Sequence, residues 1–452
     1  GKKQVFVDFS KLCYNQFMKK LSIYILILLI VILLPGIAVG ESTEQINTGW
    51  ETQNQAMLEV ASPEEAVEPE PEPEPEPVEI HLMAVGDNLL HMGLVRSGQQ
   101  EDGSYNFDYE FEDIAPFLEI ADIAIINQET PLAGNERGFS GFPRFNSPTE
   151  VGDAIVKAGF NVVLGATNHA YDQGAKGLIA YADFFRDNYP DVLMCGIHGT
   201  ASPDEDGSNG AQSPVEQGRV KLLEIEGYTF AFLNYTYGPN IESFPRELEG
   251  HLDMLCPYNP SSRILDFTSL NPQVLEDIAE ADRLADVVVV CPHWGTEYTP
   301  TPSKYQKEWA VQMTDAGADI IIGAHPHVVQ PVEQITTGNG NSSLCYYSLG
   351  NYVSTQKVRR SMLEAMAWVT FRDEGDGLYL DYAQSGALGM INQYKDGPLR
   401  FEHIYFLEDY TDELAASHGI TSWGEGRLNV EDLNTWAEEL FGDMQLKKED
   451  IQ

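Results

Sequence analysis

Runs of β-branched and aliphatic residues that end abruptly in histidine constrain this chain more than any other feature. Val287-Val288-Val289-Val290 leads into Cys291-Pro292-His293-Trp294-Gly295-Thr296-Glu297, and Asp319-Ile320-Ile321-Ile322 leads into Gly323-Ala324-His325-Pro326-His327. Strands with no polar alternation are buried on both faces, as in α/β sheets. Open sheets of that kind place their ligands just beyond the carboxyl ends of the strands. Neutral imidazole is also the commonest protein ligand for a borderline metal. The pattern therefore predicts an α/β fold with a polar, metal-type site at one edge.

The rest of the chain agrees with alternating elements. Strands are expected at 78–85, 120–126, 161–165, 192–195 and 343–349, with a pair of strands over 221–235 joined at Glu226-Gly227. Helices are expected over 149–158, capped by Gly159, and over 176–187, 272–284 and 305–316. The strand-rich stretches 219–236 and 366–384 imply mixed rather than purely parallel pairing. Residues 199–218 are rich in Gly, Ser, Asp and Gln without periodicity and read as a surface insertion. The acidic stretch from Thr411 is helix-prone, with Trp436, Leu440 and Phe441 on one face, and either packs on the domain or forms a tail.

Charge and the N-terminal region bound the partners. Among 452 residues, Asp+Glu 70 against Lys+Arg 27 gives a net charge of −43, which excludes nucleic acid as an expected partner. Leu21–Leu34 is nearly all apolar, comes after Met18-Lys19-Lys20, and is succeeded by Pro35-Gly36 and the small residues Ala38 and Gly40. That is the organisation of a signal peptide or of a membrane anchor, and the lysines ahead of it place the downstream chain outside the cell in either case. Residues 41–79 contain no Lys or Arg and include the Glu-Pro repeats from Glu68-Pro69 to Glu76-Pro77, so they read as an extended acidic linker. The expected organisation is an extension and signal or anchor over 1–40, the linker over 41–79, the main folded domain over 80–410 and an acidic helical tail over 411–452. The cysteines Cys195, Cys291 and Cys345 lie in strand-like contexts and read as buried free thiols.

Strand after strand ends in a polar residue: Asp87, Asn127 with Glu129, Asn168 with His169, His293 with Glu297, His325 with His327, and Asn351. Any one of these, alone, is better read as a hydrogen-bonded core or surface group. Gathered at one sheet edge they make a site. Carboxylates, amides and imidazoles together suit Mn, Zn or Fe with open positions, whereas a closed structural site would favour thiolates. Glu297 is placed to act as a base or to hydrogen-bond a ligating imidazole. The aromatic residues Trp294, Tyr298 and Trp309 read first as core packing and second as a stacking surface for a sugar or peptide. Arg144 and Lys304 read as surface cations, with contact to an anionic substrate as the alternative.

The ordered motifs Val85-Gly86-Asp87, Asn127-Gln128-Glu129, Asn168-His169-Ala170-Tyr171-Asp172, His293-Trp294-Gly295-Thr296-Glu297-Tyr298, Gly323-Ala324-His325-Pro326-His327-Val328 and Tyr347-Ser348-Leu349-Gly350-Asn351-Tyr352 resemble the bacterial capsule-synthesis CapA/PgsA family, itself similar to calcineurin-like metallophosphoesterases. The resemblance implies an α-β-β-α sandwich with two mixed sheets, a role in poly-γ-glutamate production, and the membrane, the polymer or synthase subunits as partners. It implies metal ligands at Asp87, Glu129, Asn168, His293, His325 and His327, catalytic roles for His169 and Glu297, and substrate contacts from Asn127 and Asn351. Two departures stand out. Asp87 is followed by Asn88-Leu89 rather than by the x-His of the phosphoesterases, with His91 further along, and Glu129 stands where their bridging Asp would be. The metal count is therefore one or two. Glu129 itself has three readings: a bridge between metals, an orienting partner of a histidine, or a cap on a loop.

Overall fold

The computed structural model describes residues 77–200, 218–395 and 400–451. The apolar run 21–34, nearly all of the acidic linker and residues 201–217 of the expected insertion lie outside them. Among the described residues no helix is long and apolar enough to cross a membrane.

Two mixed sheets form the centre. The first runs in the order β15 (Arg400–Phe406), β14 (Gly386–Lys395), β12 (Leu363–Asp373), β1 (Val78–Asn88), β2 (Ile123–Gln128), β3 (Val162–Leu164), β4 (Leu193–Cys195). Its β1-β2-β3-β4 half is parallel and its β1-β12-β14-β15 half antiparallel. Two short strands, β11 (Asn351–Val353) and β13 (Tyr379–Leu380), pair with β1 and β12. The second sheet runs β5 (Lys221–Ile225), β6 (Tyr228–Thr236), β7 (Val287–His293), β8 (Ile320–Ile322), β10 (Ser342–Tyr346), β9 (Val332–Thr336), parallel in the middle and antiparallel at both edges.

The side-chain alternation of β7 shows why its sequence is unbroken. Val287, Val289 and Cys291 join the core that includes the first sheet, while Val288 and Val290 join a second core with Ile321, Cys345 and Trp294. That second core is closed by helices α3 (Pro272–Leu284) and α4 (Lys304–Ala316), through Val274, Ile278, Trp309 and Met313. Helices α1 (Glu150–Ala158) and α2 (Gly174–Asn188), in the crossovers of β2-β3 and β3-β4, bury Val151, Ile155, Leu178, Tyr181 and Phe185 against the first sheet. The layering is thus the expected α-β-β-α sandwich.

Most elements fall where the sequence puts them, and the differences have local causes. α1 ends at Gly159, whose φ of 114° is the left-handed C-cap conformation. α4 begins one residue early because Ser303 and Gln306 form a reciprocal capping box. The strand expected over 343–349 is the shorter β10, and β11 follows it after a turn in which Gly350 has a φ of 74°. The acidic C-terminal stretch packs on the domain: helix α5 (Val430–Phe441) buries Leu433, Ala437, Leu440 and Phe441. Cys195, Cys256, Cys291 and Cys345 are all free and buried.

Candidate metal centre

Parallel strands of both sheets deliver their carboxyl ends to one place. Asp87 sits at the end of β1, wholly buried, directly opposite Asn351 in the β1-β11 register. Gly86 makes that pairing feasible, because a Cβ there would meet the Gly350 carbonyl oxygen at 2.1 Å. Both oxygens of Asp87 have polar partners. Oδ1 accepts the Asn127 amide at 2.7 Å, Oδ2 lies 2.9 Å from Nδ1 of His327, and both approach the backbone N–H of His325, at 3.3 and 3.2 Å.

Glu129, just past β2, is the opposite case. It is buried and neither carboxylate oxygen has a hydrogen-bond partner. Its Oε1 lies 3.6 Å from Nε2 of His327 and 3.9 Å from Nε2 of His293, too far for hydrogen bonds and close enough for a shared ligand. The loop-cap reading of Glu129 therefore fails, since a cap would accept backbone N–H groups. The rings of His293 at the end of β7 and His325 past β8 lie 4.9 Å apart between centroids, tilted by 53°, and the Nδ1 of each is buried without a partner. Asn168 orients His293, its Oδ1 lying 2.9 Å from Nε2.

Among the described residues, three sets of side chains bring their ligand atoms within 4.8 Å of one another: Glu129-His293-His325, Asp87-Glu129-His327 and Glu297-His325-His327. Glu129, His325 and His327 each belong to two sets, so the geometry accommodates one ion or two neighbouring ones. The titration pattern has the same origin. Burial pushes Glu129 well above the ordinary carboxyl range, with Asp87 and Glu297 adding to it and His327 opposing. Burial also holds His293 and His325 well below the usual imidazole value, helped by the neighbouring histidines. His327 goes the other way: burial would lower it, but Glu129 and Asp87 override that and raise it to about 9. A divalent cation would satisfy the orphaned acceptors and replace the proton on His327, so the donor set fits a metal.

The remaining expected residues lie around these. His169 Nδ1 is 2.8 Å from Asp172 Oδ2, and the Phe145 ring meets the imidazole edge-on at 4.7 Å. Glu297 is exposed, on the loop after β7. Asn127 and Asn351, expected at the substrate, are both buried and engaged with ligand candidates: Asn127 with Asp87, and Asn351 with His327 at 3.1 Å and Gln356 at 3.0 Å. Three neighbours were missed by sequence reasoning. Asp172 positions His169; His91 has a buried, unpartnered Nδ1 and is lowered to about 4, chiefly by burial; Tyr237 packs on His325 at 4.8 Å. Tyr237 follows β6 immediately, so the strand-end rule applied to β6 would have found it.

The backbone that presents these groups is strained. Of the non-glycine residues with positive φ, Tyr298 (60°), His325 (96°) and His327 (57°) all belong to the loops of the site. L-residues reach that region at a cost of about 1–3 kcal/mol each, which the surrounding packing must sustain.

Known proteins place this centre in a lineage. Residues 81–356 match the family described as bacterial capsule synthesis protein PGA_cap. The chain belongs to that family. All the candidate ligands fall inside the matched residues. The capsule biosynthesis protein CapA of Bacillus anthracis is 31% identical over 283 residues, which are 61% of this chain and 60% of that protein. The PGA biosynthesis protein CapA of Bacillus subtilis (strain 168) is 26% identical over 297 residues, 65% of this chain and 68% of that protein. This chain thus spans less than two thirds of the Bacillus anthracis relative. Among solved structures, a putative 5'-nucleotidase from Staphylococcus aureus in complex with alpha-ketoglutarate aligns over 67% of this chain and 53% of its own, at 18% identity and a TM-score of 0.39. That likeness is too slight to bear on the chemistry.

Proposed function

We propose that this protein serves capsule or poly-γ-glutamate biosynthesis outside the cell, through a metal-dependent hydrolytic centre of the phosphoesterase kind. One observation supports the chemistry above the rest: Glu129 is buried with both oxygens unpartnered, beside the imidazoles of His293, His325 and His327. Leaving a buried acceptor unsatisfied costs about 1–3 kcal/mol, an arrangement that persists where a cation is to be held. Glu129, His293 and His325 would hold one ion, and Asp87 and His327, sharing Glu129, a second. The absence of thiolate from these sets suits Mn, Zn or Fe with open positions. Such an ion, when bound, acidifies water and polarises a phosphoryl or acyl oxygen.

The chain's own groups supply orientation and proton handling. Asp172 fixes the ring of His169 through Nδ1, leaving Nε2 as the nitrogen that exchanges a proton with a leaving group. Asn168 and Asn351 set the rings of His293 and His327. Glu297, exposed at the mouth, is the carboxylate available to a substrate or to water.

The placement outside the cell rests on the apolar run 21–34 with Lys2, Lys3, Lys11, Lys19 and Lys20 ahead of it, and on the acidic linker that would hold the domain off the surface. The membrane, the polyglutamate polymer and synthase subunits are the partners this reading implies. Protease added to intact, wall-stripped cells should degrade the domain, and full protection rejects the placement. The chemistry is tested by metal analysis of the purified chain together with hydrolysis of bis(p-nitrophenyl) phosphate. We expect bound transition metal, metal-dependent turnover, and metal affinity weakened several-fold or more by His325→Ala. Stoichiometric metal retained in a His293→Ala/His325→Ala double variant rejects the centre.

A further inference from the structure

Beside His325 lies a cavity of about 470 Å³ whose walls are largely aromatic: Tyr237, Phe267, Tyr305 and Trp309. Its size falls within the roughly 300–1,000 Å³ of small-molecule sites. The rings come in two pairs, Tyr237-Phe267 at 6.0 Å and Tyr305-Trp309 at 5.7 Å between centroids. Trp309 is mostly core, but Phe267 is 43% exposed, so part of its ring is open to a ligand. The polar part of the lining includes the Glu297 carboxylate, the Gln306 amide and the His325 imidazole with the hydroxyls of Thr296 and Ser303. Among the described residues no lysine or arginine lines the cavity. The nearby ammonium of Lys304 is stacked over the Tyr305 ring at 4.7 Å.

We propose that this cavity is the subsite for a hexosyl ring, so that the substrate of the neighbouring centre is a sugar phosphoester rather than the polyglutamate chain. The inference rests on the hydrolytic reading given above. A glutamyl segment brings one carboxylate per residue and would meet Glu297 with no lining cation to offset the repulsion. A pyranose offers the complementary surface. Its C–H faces lie against aromatic rings, and its hydroxyls donate to Glu297 while exchanging hydrogen bonds with Thr296 and Ser303. Because Tyr237 touches both His325 and Phe267, a ring in the cavity sits next to the ion-holding residues, where a phosphate attached to it would reach them.

The test is calorimetric titration of the full chain, loaded with Mn, using glucose 1-phosphate, inorganic phosphate, AMP and γ-glutamyl-glutamate as probes. Glucose 1-phosphate should bind at least ten-fold more tightly than inorganic phosphate. Phe267→Ala and Tyr305→Ala should each remove roughly 2- to 12-fold of that margin, the worth of one aromatic contact, while leaving phosphate binding and metal content unchanged. Phe267 is exposed enough that its loss should not unfold the chain. Equal affinity for sugar phosphate and phosphate, tighter binding of AMP or of γ-glutamyl-glutamate, or indifference to both substitutions overturns the subsite. Metal content measured on the same samples separates the two layers. A chain that keeps metal but fails these titrations overturns the subsite alone, and a chain without metal that still binds glucose 1-phosphate through Phe267 overturns the hydrolytic reading alone.

Discussion

Glu129→Gln separates what the centre does from what holds the fold. In wild type, a buried carboxyl has two oxygens without partners and is pushed by burial toward its neutral form. The metal-free chain bears that as a penalty of about 1–3 kcal/mol per unsatisfied group. Gln keeps the shape and that penalty, since its amide is no better partnered, but it removes the ionisation together with the pull of Glu129 on the His327 proton. Those two effects oppose, so in EDTA the variant should melt within about 4 °C of wild type, the shift that about 1 kcal/mol makes in a large domain. Metal binding should respond far more strongly. Glu129 belongs to two of the three ligand sets, so its amide should cost at least one metal equivalent together with hydrolysis. If the carboxyl instead only orients an imidazole, affinity should fall about 10- to 100-fold with stoichiometry kept. The assay is paired thermal melts with EDTA and with Mn, plus metal analysis. A melting temperature lowered by more than about 4 °C in EDTA, with metal content unchanged, would refute the reasoning, because it would make Glu129 a structural residue.

Stability of the metal-free chain should fall as pH rises. His327 is raised from 6.5 to about 9, so its contribution of about 3 kcal/mol is complete below pH 6.5 and lost through pH 9; a flat urea profile from pH 6 to 9 in EDTA would contradict this. Metal affinity should climb over the same range, because the ion must displace that proton, and calorimetry at pH 6 and pH 8 reads it directly. Asp172→Asn should lower hydrolysis at least about ten-fold with metal content unchanged, since it frees His169 without touching the ligand sets. Gly323→Ala should destabilise the chain by at least about 1–3 kcal/mol in urea denaturation, because its Cβ would lie 2.1 Å from the Tyr347 carbonyl oxygen and 2.5 Å from Trp294 Nε1, which already bond each other at 2.9 Å.

Legibility in the sequence followed burial. β7 and β8 were readable because both faces are covered, leaving no position for a polar residue. β14 was not, since Gly386-Ala387-Leu388-Gly389-Met390 carries little strand propensity and is held there by pairing with β12 and β15. β9 hid for the opposite reason: as an edge strand it exposes Glu333, Gln334 and Thr336. Within the centre, the residues that end strands were found, Tyr237 after β6 excepted, and residues that support them were not. Asp172 reaches His169 only because the chain turns after β3, and His91 faces the centre from the loop after β1. What Asn351 does was equally hidden, because it meets His327 beside Asp87, which the β1-β11 register sets opposite Asn351, rather than along the chain.

The left-handed backbone at His325 sets a trap for anyone engineering this domain. Glycine or asparagine would relax that position and also delete the imidazole. A library screened for heat resistance alone, with chelator present, should therefore enrich changes there and return sturdy, inert proteins. The same screen run with metal in excess should avoid them, since ligation would then repay the tension. Comparing the two sets of survivors would map, position by position, where this fold has given up durability for chemistry.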